Sequence, residues 1–542
     1  MKSFLTKNFF PIVIITIAAL LRFWQLGQNP PGLFVDEASN GYNAYSILKT
    51  AKDEYGNFLP LTFRAFGDYN PALSVYLLVP SIAVFGLTEF AVRFPSALLG
   101  TLTVVATYFL TKKLFENEKI ALLAMLFLAI SPWHLQFSRF DHEANFMAAF
   151  VVVGITFFLY CKNRYPRPIR SETHGRRPKG RGSLILAQNS LQPRSRDRGF
   201  FAQNNYKMLI LSAISFGLGL NTYHGAKIWV PLVLAALVFL YRRELIHWGT
   251  RLLLPIFILF LAAIPTAANL DRSTIRARSA GIFEKEEPQK LFISGYLSHF
   301  SPNFLFVTPD NIGRHAVGGM GHLYVFELPL IFLGILFLIR NKSPHRNLII
   351  LWLLLAPIPA ALATPTPHAL RSITFLPVFS ILAALGLVAV IKARLNFRLK
   401  SLILACLLLV AAYNIATYFH LYYKHYPKLK AADWNGGTKE MVEFMNRIKD
   451  KYEVVAITDY YTRPYIFVLF YTKYDPAAYH PQSEDKTKFD KFEFFGSSWD
   501  KKATGTALVV RPHWQKPNPP PKYIKEIYDS ASTLVFRISE EQ

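Results

Sequence analysis

The chain has 542 residues, of which 52% are apolar, 15% aromatic and only 18% charged, with a formal net charge of +25. Soluble domains carry about 25% charged residues, so much of this surface is not built for water. Two cysteines, Cys161 and Cys406, exclude a disulfide scaffold and a Cys-ligated zinc site. No P-loop or dinucleotide fingerprint follows a predicted strand. A charge of this size would suit nucleic acid, but the basic residues sit between long apolar runs, which makes them a signature of membrane topology instead.

A hydrocarbon layer of about 30 Å needs roughly 20 apolar residues of helix. Segments 9–26, 91–111, 120–137, 145–161, 208–222, 228–241, 252–270, 323–339, 347–362, 373–391 and 401–419 meet that need, giving eleven predicted spans. The first runs on through Arg22 and Trp24 without a small-residue cleavage site, so it reads as a retained helix rather than a signal peptide. With the N-terminus cytoplasmic, the inside loops hold 27 basic and five acidic residues, leaving nearly all the excess charge on one side. Segment 71–87 is apolar enough to span, yet a span there would turn the basic stretch 162–207 outward. It is expected to lie in the outer interface or re-enter it, broken at Pro80. Stretch 162–207, rich in Arg, Pro, Gly and Ser, reads as a disordered cytoplasmic loop facing anionic lipid headgroups.

Composition changes near 420. GGTKEMVEFMNRIKD predicts a helix, and YEVVAIT, TALVVR and STLVFRI predict strands. The expected organisation is therefore a transmembrane domain over 1–419, with an outer loop at 27–90, and an extracytoplasmic α/β domain over 420–542 that acts as an accessory.

Two adjacent carboxylates, Asp36 and Glu37, follow the first span. Charges beside a bilayer are costly and need a reason. Asp36 can cap the helix that opens there, and it can also serve as a base; the spacing leaves both open. A second polar cluster, Arg139-Phe140-Asp141-His142-Glu143, falls on the same outer face, and its Asp, His and Glu offer oxygen and imidazole ligands for a divalent cation. Candidate cations at that level are Arg64, Arg93, Arg139, Lys227 with His224, Arg272, Arg276, Arg278 and Arg371. Each is also a natural partner for ordinary lipid phosphates.

The order of these features resembles the GT-C membrane glycosyltransferases, and within them the dolichyl-phosphate-mannose–protein mannosyltransferase and aminoarabinose-transferase group, glycosyltransferase family 39. The residues that carry the likeness are Phe34-Val35-Asp36-Glu37, Gly67-Asp68-Tyr69-Asn70-Pro71-Ala72-Leu73, the stretch Phe85–Ala97 with Arg93-Phe94-Pro95-Ser96-Ala97, and Ser131-Pro132-Trp133. The resemblance implies a polytopic α-helical fold, a polyprenyl-phosphate sugar donor, and a protein, lipid or glycan acceptor. It also implies transfer at the outer face of the plasma membrane with inversion, no cofactor or metal, and no nucleic acid. It assigns Asp36 as general base, with Glu37 orienting it or raising its pKa by like charge. Asp141 and Glu143 become a second acidic patch, and Arg64, Arg93, Arg139, Lys227, His224, Arg276 and Arg371 become ligands of the donor phosphate. Relatives often carry Lys where this chain has Asn70, so another cation has to take that part. The competing reading is a transporter or flippase of polyprenyl-linked sugars. Transporters tend to show internal repeats and charges at mid-membrane, whereas here no half-to-half repeat is visible and the ionisable residues gather at one face.

Overall fold

The structure, a computed structural model, describes residues 2–161, 195–268, 281–341, 343–461, 463–496, 499, 506–517 and 521–541. Arg272, Arg276 and Arg278 lie outside these residues, as does 162–194 of the basic loop.

Helix α1 (Lys2–Phe23) leads into α2 (Val35–Thr50), a hairpin of β1 (Thr62–Ala65) and β2 (Asp68–Pro71), and α3 (Ala72–Phe85). Then come α4 (Glu89–Phe115), α5 (Glu118–Ile130), α6 (Pro132–Ser138), α7 (Glu143–Tyr160), α8 (Ser195–Leu220), α9 (Ala226–Ile246) and α10 (Leu253–Ala268). The helical part closes with α11 (Pro288–Ser298), α12 (Glu327–Arg340), α13 (Arg346–Leu355), α14 (Val378–Lys392) and α15 (Phe397–His420). Helix α8 already begins at Ser195, so the stretch expected to be disordered as far as 207 is helical from there.

Every expected span falls on a helix, but among the described residues only five helices are long and apolar enough to cross a membrane. They become six if α5 and α6, bent by 58° at Ser131-Pro132, count as one. The others are too short or too interrupted by polar residues, so helix length and composition support about half of the eleven crossings. Helix α10 and helix α15 bury almost nothing in the protein, whereas the span ending in α14 is almost wholly enclosed. Apolar faces left bare in this way belong against lipid. The bend has a visible cause. Pro132 cannot continue the ladder, and Arg22 of α1 donates to the stranded carbonyls of Ala129 and Leu128 (3.1 and 3.4 Å) and to His134 Nδ1 (2.6 Å).

Pro80 does not break α3, contrary to expectation; the helix runs unbroken from Ala72 to Phe85. One lost backbone bond is tolerated because α3 is packed against α2 and α4, burying Val75, Leu78 and Ile82.

The carboxy-terminal domain contains α16 (Thr438–Ile448), β3 (Val454–Thr458), α17 (Pro464–Thr472), β4 (Lys488–Phe489), β5 (Phe492–Phe495), β6 (Ala507–Pro512), β7 (Lys522–Tyr528) and β8 (Leu534–Glu541). Its six strands lie in the order β4-β5-β3-β6-β8-β7. Strand β3 is parallel to β5 and β6, and β8 is antiparallel to β6 and β7. The expected helix and three strands are all present.

This domain is not a detachable accessory. One apolar cluster joins Leu33, Tyr42 and Val92 of the outer loop to Val442, Phe470 and Phe492 of the sheet domain. Tyr42 Oη donates to the Tyr474 carbonyl (3.2 Å), and Asn435 Nδ2 donates to the Leu33 carbonyl (3.0 Å). Deleting 425–542 would strip the core from under α2, so such a truncation reports on folding rather than on acceptor use.

Helices α12 and α14 meet through reciprocal glycines. A Cβ on Gly334 would lie 1.9 Å from the Leu382 carbonyl, and one on Gly386 would lie 1.8 Å from the Leu330 carbonyl. Small residues allow this close backbone approach in membranes. Gly386→Ala should force the helices apart, cost about 1–3 kcal/mol, and lower the thermal midpoint in detergent. An unchanged midpoint would show that the crossing yields freely.

Candidate active site

The outer loop is shaped by carbonyls that arginines gather. Arg139 is buried and spends all five donors inside the protein. Its Nε donates to Tyr422 Oη (2.8 Å), Nη1 to the carbonyls of Leu21 (2.7 Å) and Arg22 (3.1 Å), and Nη2 to those of Trp24 (2.7 Å) and Asn29 (3.0 Å). The first of these are the carbonyls that the end of α1 leaves without helical partners. Arg93, also buried, takes the next ones. It donates to Leu26 (3.1 Å), Pro30 (2.9 Å) and Gly32, and it holds Glu37 bidentately through Nε–Oε1 (2.9 Å) and Nη2–Oε2 (3.2 Å). The Trp434 ring faces its guanidinium at 5.6 Å. Neither arginine retains a donor for a donor phosphate, which corrects their assignment as phosphate ligands.

Glu37 is likewise committed. Fully buried, it accepts the Phe34 N–H (3.0 Å) and the Asp141 N–H (3.1 Å) besides Arg93. Helix α2 starts at Val35 with Phe34 as its N-cap, so Glu37, at the third helical position, closes the helix end. Two expectations change as a result. Asp36 stands inside the first turn and is not the cap, and Glu37 points into the Arg93 pair instead of orienting Asp36.

Asp36 remains half-buried at the second helical position, where the helix N-terminus favours a carboxylate. Asp141 is within its electrostatic range, and so is Arg314. The Arg314 guanidinium lies 3.7 Å from the Phe34 ring centroid, and burial lowers its pKa against the opposing pull of Asp433 and Asp36. Gln136 Nε2 anchors this loop by donating to the Arg314 carbonyl (2.7 Å) and to Tyr426 Oη (2.7 Å). Asp433 packs so tightly on Gly313 that a Cβ there would meet its carboxylate. Sequence reasoning missed Arg314 and Asp433. The available signal was Asn311-Ile312-Gly313-Arg314-His315, a polar glycine-bearing insertion between apolar segments, and Asp433 just before the Gly436-Gly437 pair.

Asp141 is buried and accepts from Asn40 Nδ2 (2.8 Å) through Oδ2, while its Oδ1 has no partner. Burial, then the neighbouring Glu143, push its pKa well above the carboxylate range. Glu143 Oε2 sits 3.1 Å from His142 Nδ1 at the start of α7. The acidic patch 141–143 therefore does border Asp36. It does not gather as metal ligands, however. Among the described residues, the His, Cys, Asp and Glu atoms that converge closely enough for an ion are those of Asp310, His315 and His368.

The remaining cations spread out. Lys227 and His224 line a narrow cavity with Tyr69 and Pro71, so Lys227 stands beside the residues that flank Asn70. Arg64 is exposed on β1, paired with Glu484 (2.9 Å) and 4.7 Å from the Tyr55 ring centroid, at the rim of a cavity of about 500 Å³ that Tyr69 also lines. Arg371 Nη1 donates to the Thr364 carbonyl (2.9 Å).

Residues 12–181 match the family described as Dolichyl-phosphate-mannose-protein mannosyltransferase. In fold the chain is similar to ArnT from Cupriavidus metallidurans, in the apo state (TM-score 0.54, 12% identity, covering 99% of this chain and 98% of that one) and bound to undecaprenyl phosphate (TM-score 0.53, 13% identity, 98% of both). The chain thus shares the fold of ArnT, and its residues 12–181 resemble the mannosyltransferase family. A protein from Aquifex aeolicus is 30% identical over 160 residues, which cover 29% of this chain and 28% of that relative.

Two variants probe the geometry. Glu37→Gln leaves Arg93 as a buried charge without its counter-ion, so it should cost about 3–5 kcal/mol and show as a large fall in the thermal midpoint; a midpoint within a degree of wild type would refute the clamp. For Asp141 the folded pKa is raised above the unfolded one, so stability is full below the usual carboxylate range and declines as pH rises from there. Asp141→Asn should flatten the wild-type decline in thermal midpoint between pH 5 and 7.5, and parallel curves for the two proteins would contradict the raised pKa.

Proposed function

We propose that the protein transfers a sugar from a polyprenyl-phosphate donor to an acceptor hydroxyl at the outer face of the membrane, with inversion at the anomeric carbon. The observation that carries this reading is a half-buried carboxylate, Asp36, within electrostatic range of a guanidinium, Arg314, that lies over the Phe34 ring. The match to the mannosyltransferase family over 12–181 supports the donor class. In the step, the acceptor hydroxyl gives its proton to Asp36 as its oxygen attacks the anomeric carbon. The bond from that carbon to the phosphate oxygen breaks on the opposite face, and its electron pair stays with the phosphate. Arg314 takes the developing charge, an interaction worth most in a water-poor site. Lys227, beside Pro71, supplies the cation that Asn70 does not, and His224 lines the same wall. Asp141, kept neutral by burial, adds no repulsion to the phosphate.

The acceptor proposed is a protein, lipid or glycan. The orientation proposed is a cytoplasmic N-terminus and an outer sheet domain in the plasma membrane, set by the basic excess of the inside loops.

Asp36→Asn keeps shape but cannot take a proton, so transfer should fall by about 10²-fold or more. Since Glu37 and not Asp36 closes the helix, stability and donor binding should hold. Arg314→Gln should weaken release of polyprenyl phosphate from a radiolabelled donor in detergent while leaving the fold intact. Full activity in Asp36→Asn would move the base elsewhere. Wild-type protein that releases no polyprenyl phosphate without compartments would favour the flippase reading.

A further inference from the structure

Buried imidazoles and a carboxylate gather where loop 308–317 meets loop 364–371, behind Arg314 rather than in front of it. One ligand atom from each of Asp310, His315 and His368 lies within 4.8 Å of the other two. The His315 and His368 rings are 4.9 Å apart, and both side chains are buried. Asp310 Oδ2 accepts from His315 Nδ1 (2.7 Å) and from the Ala369 N–H (2.7 Å). His299 braces the group from outside: its Nδ1 donates to the Gly295 carbonyl (2.6 Å), and its Nε2 accepts the His368 N–H (3.1 Å). An Asp–His pair that only fastens two loops needs one imidazole. The second, His368, packs against it with the rings tilted by 55° and accepts a long bond from the Arg371 N–H at its Nδ1 (3.3 Å).

We propose that Asp310, His315 and His368 form a binding site for one divalent transition-metal ion of the zinc class. Two imidazoles and a carboxylate are a ligand set that suits such an ion and leaves a position for water. Tetrahedral zinc with bonds of about 2.0–2.1 Å spaces its ligand atoms about 3.4 Å apart, so side-chain adjustments of about 1 Å close this cluster around it. A cavity of about 330 Å³, lined by Asp310, Asn303, Thr308 and Pro367, gives the ion a way in. The consequence reaches the front of the site. His315 follows Arg314 in the chain, so an ion on His315 fixes the backbone that presents the guanidinium beside Asp36. The site stands on its own ligands, whether or not the transferase reading holds.

The test uses the full-length protein in detergent, stripped with a chelator, reloaded with zinc and desalted, with metal counted by mass spectrometry. Wild type should retain about one zinc per chain, as a three-ligand site does. His315→Gln and His368→Gln should lose it at least about tenfold, while His142→Gln, in the other His-bearing polar cluster, should keep it. Cobalt in place of zinc should give the visible absorption of a tetrahedral site in wild type. No zinc above the buffer blank in wild type overturns the proposal, as does equal zinc in wild type and both Gln variants. If either variant fails to fold, the wild-type cobalt spectrum decides: a band of tetrahedral intensity supports the site and its absence overturns it.

Discussion

The ion pair of Glu37 and Arg93 is the interaction on which the rest of the candidate site depends. It is buried on both sides, and burying two charges costs several kcal/mol per ion unless their remaining hydrogen-bonding capacity is filled. Here it is filled completely. Arg93 collects carbonyls from Leu26, Pro30 and Gly32, and Glu37 collects the Phe34 and Asp141 amides. One pair thereby fixes the loop after α1, the first turn of α2 and the backbone of the second acidic patch. Asp36 has a defined position only because its neighbour in sequence is pinned.

Arg139 and Arg22 extend the same logic toward the membrane. Each satisfies carbonyls that a helix end or a bend has left without partners, at a depth where water cannot be relied on. Three buried arginines in this region are therefore a consequence of irregular backbone near the bilayer. A guanidinium, with five donors in a fixed plane, can serve several carbonyls at once where Lys could not. Trp434 and Tyr422, which precede the sheet domain, enter this network by facing Arg93 and accepting from Arg139, while the sheet's own apolar core joins that of the loop through Leu33, Tyr42, Phe470 and Phe492.

The helices, the strands of the outer domain and the Asp36-Glu37 loop were legible because each rests on local pattern: apolar run length, alternation, or a carboxylate pair next to a span. What was not legible depends on which partner a charge meets. Arg93 and Arg139 look like lipid-facing cations until the carbonyls of residues 21–32 are found around them. Glu37 and Asp36 are equivalent in sequence and opposite in environment. Pro80 reads as a break, yet packing on α2 and α4 overrides the lost bond. Arg314, Asp433 and the Asp310–His315–His368 cluster come from loops far apart in the chain, and no spacing rule connects them.

Environment also separates the four carboxylates by role. Glu37 is neutralised by Arg93 and has no free lone pair directed outward. Asp141 is buried, and burial pushes its pKa up, so it gives up its proton less readily than an ordinary carboxyl. Glu143 lies at the head of a membrane helix against His142. Asp36 combines partial exposure with a cation, Arg314, in electrostatic range, and that combination is why the proposed reaction puts its base there. In that proposal Arg314, within range of both Asp36 and Asp433, sets one positive charge against two carboxylates. The raised pKa of Asp141 suits the same proposal: a fully ionised set of Asp36, Asp141 and Glu143 would raise the energy of any phosphate brought to it, and a carboxyl that holds its proton more readily lessens that repulsion.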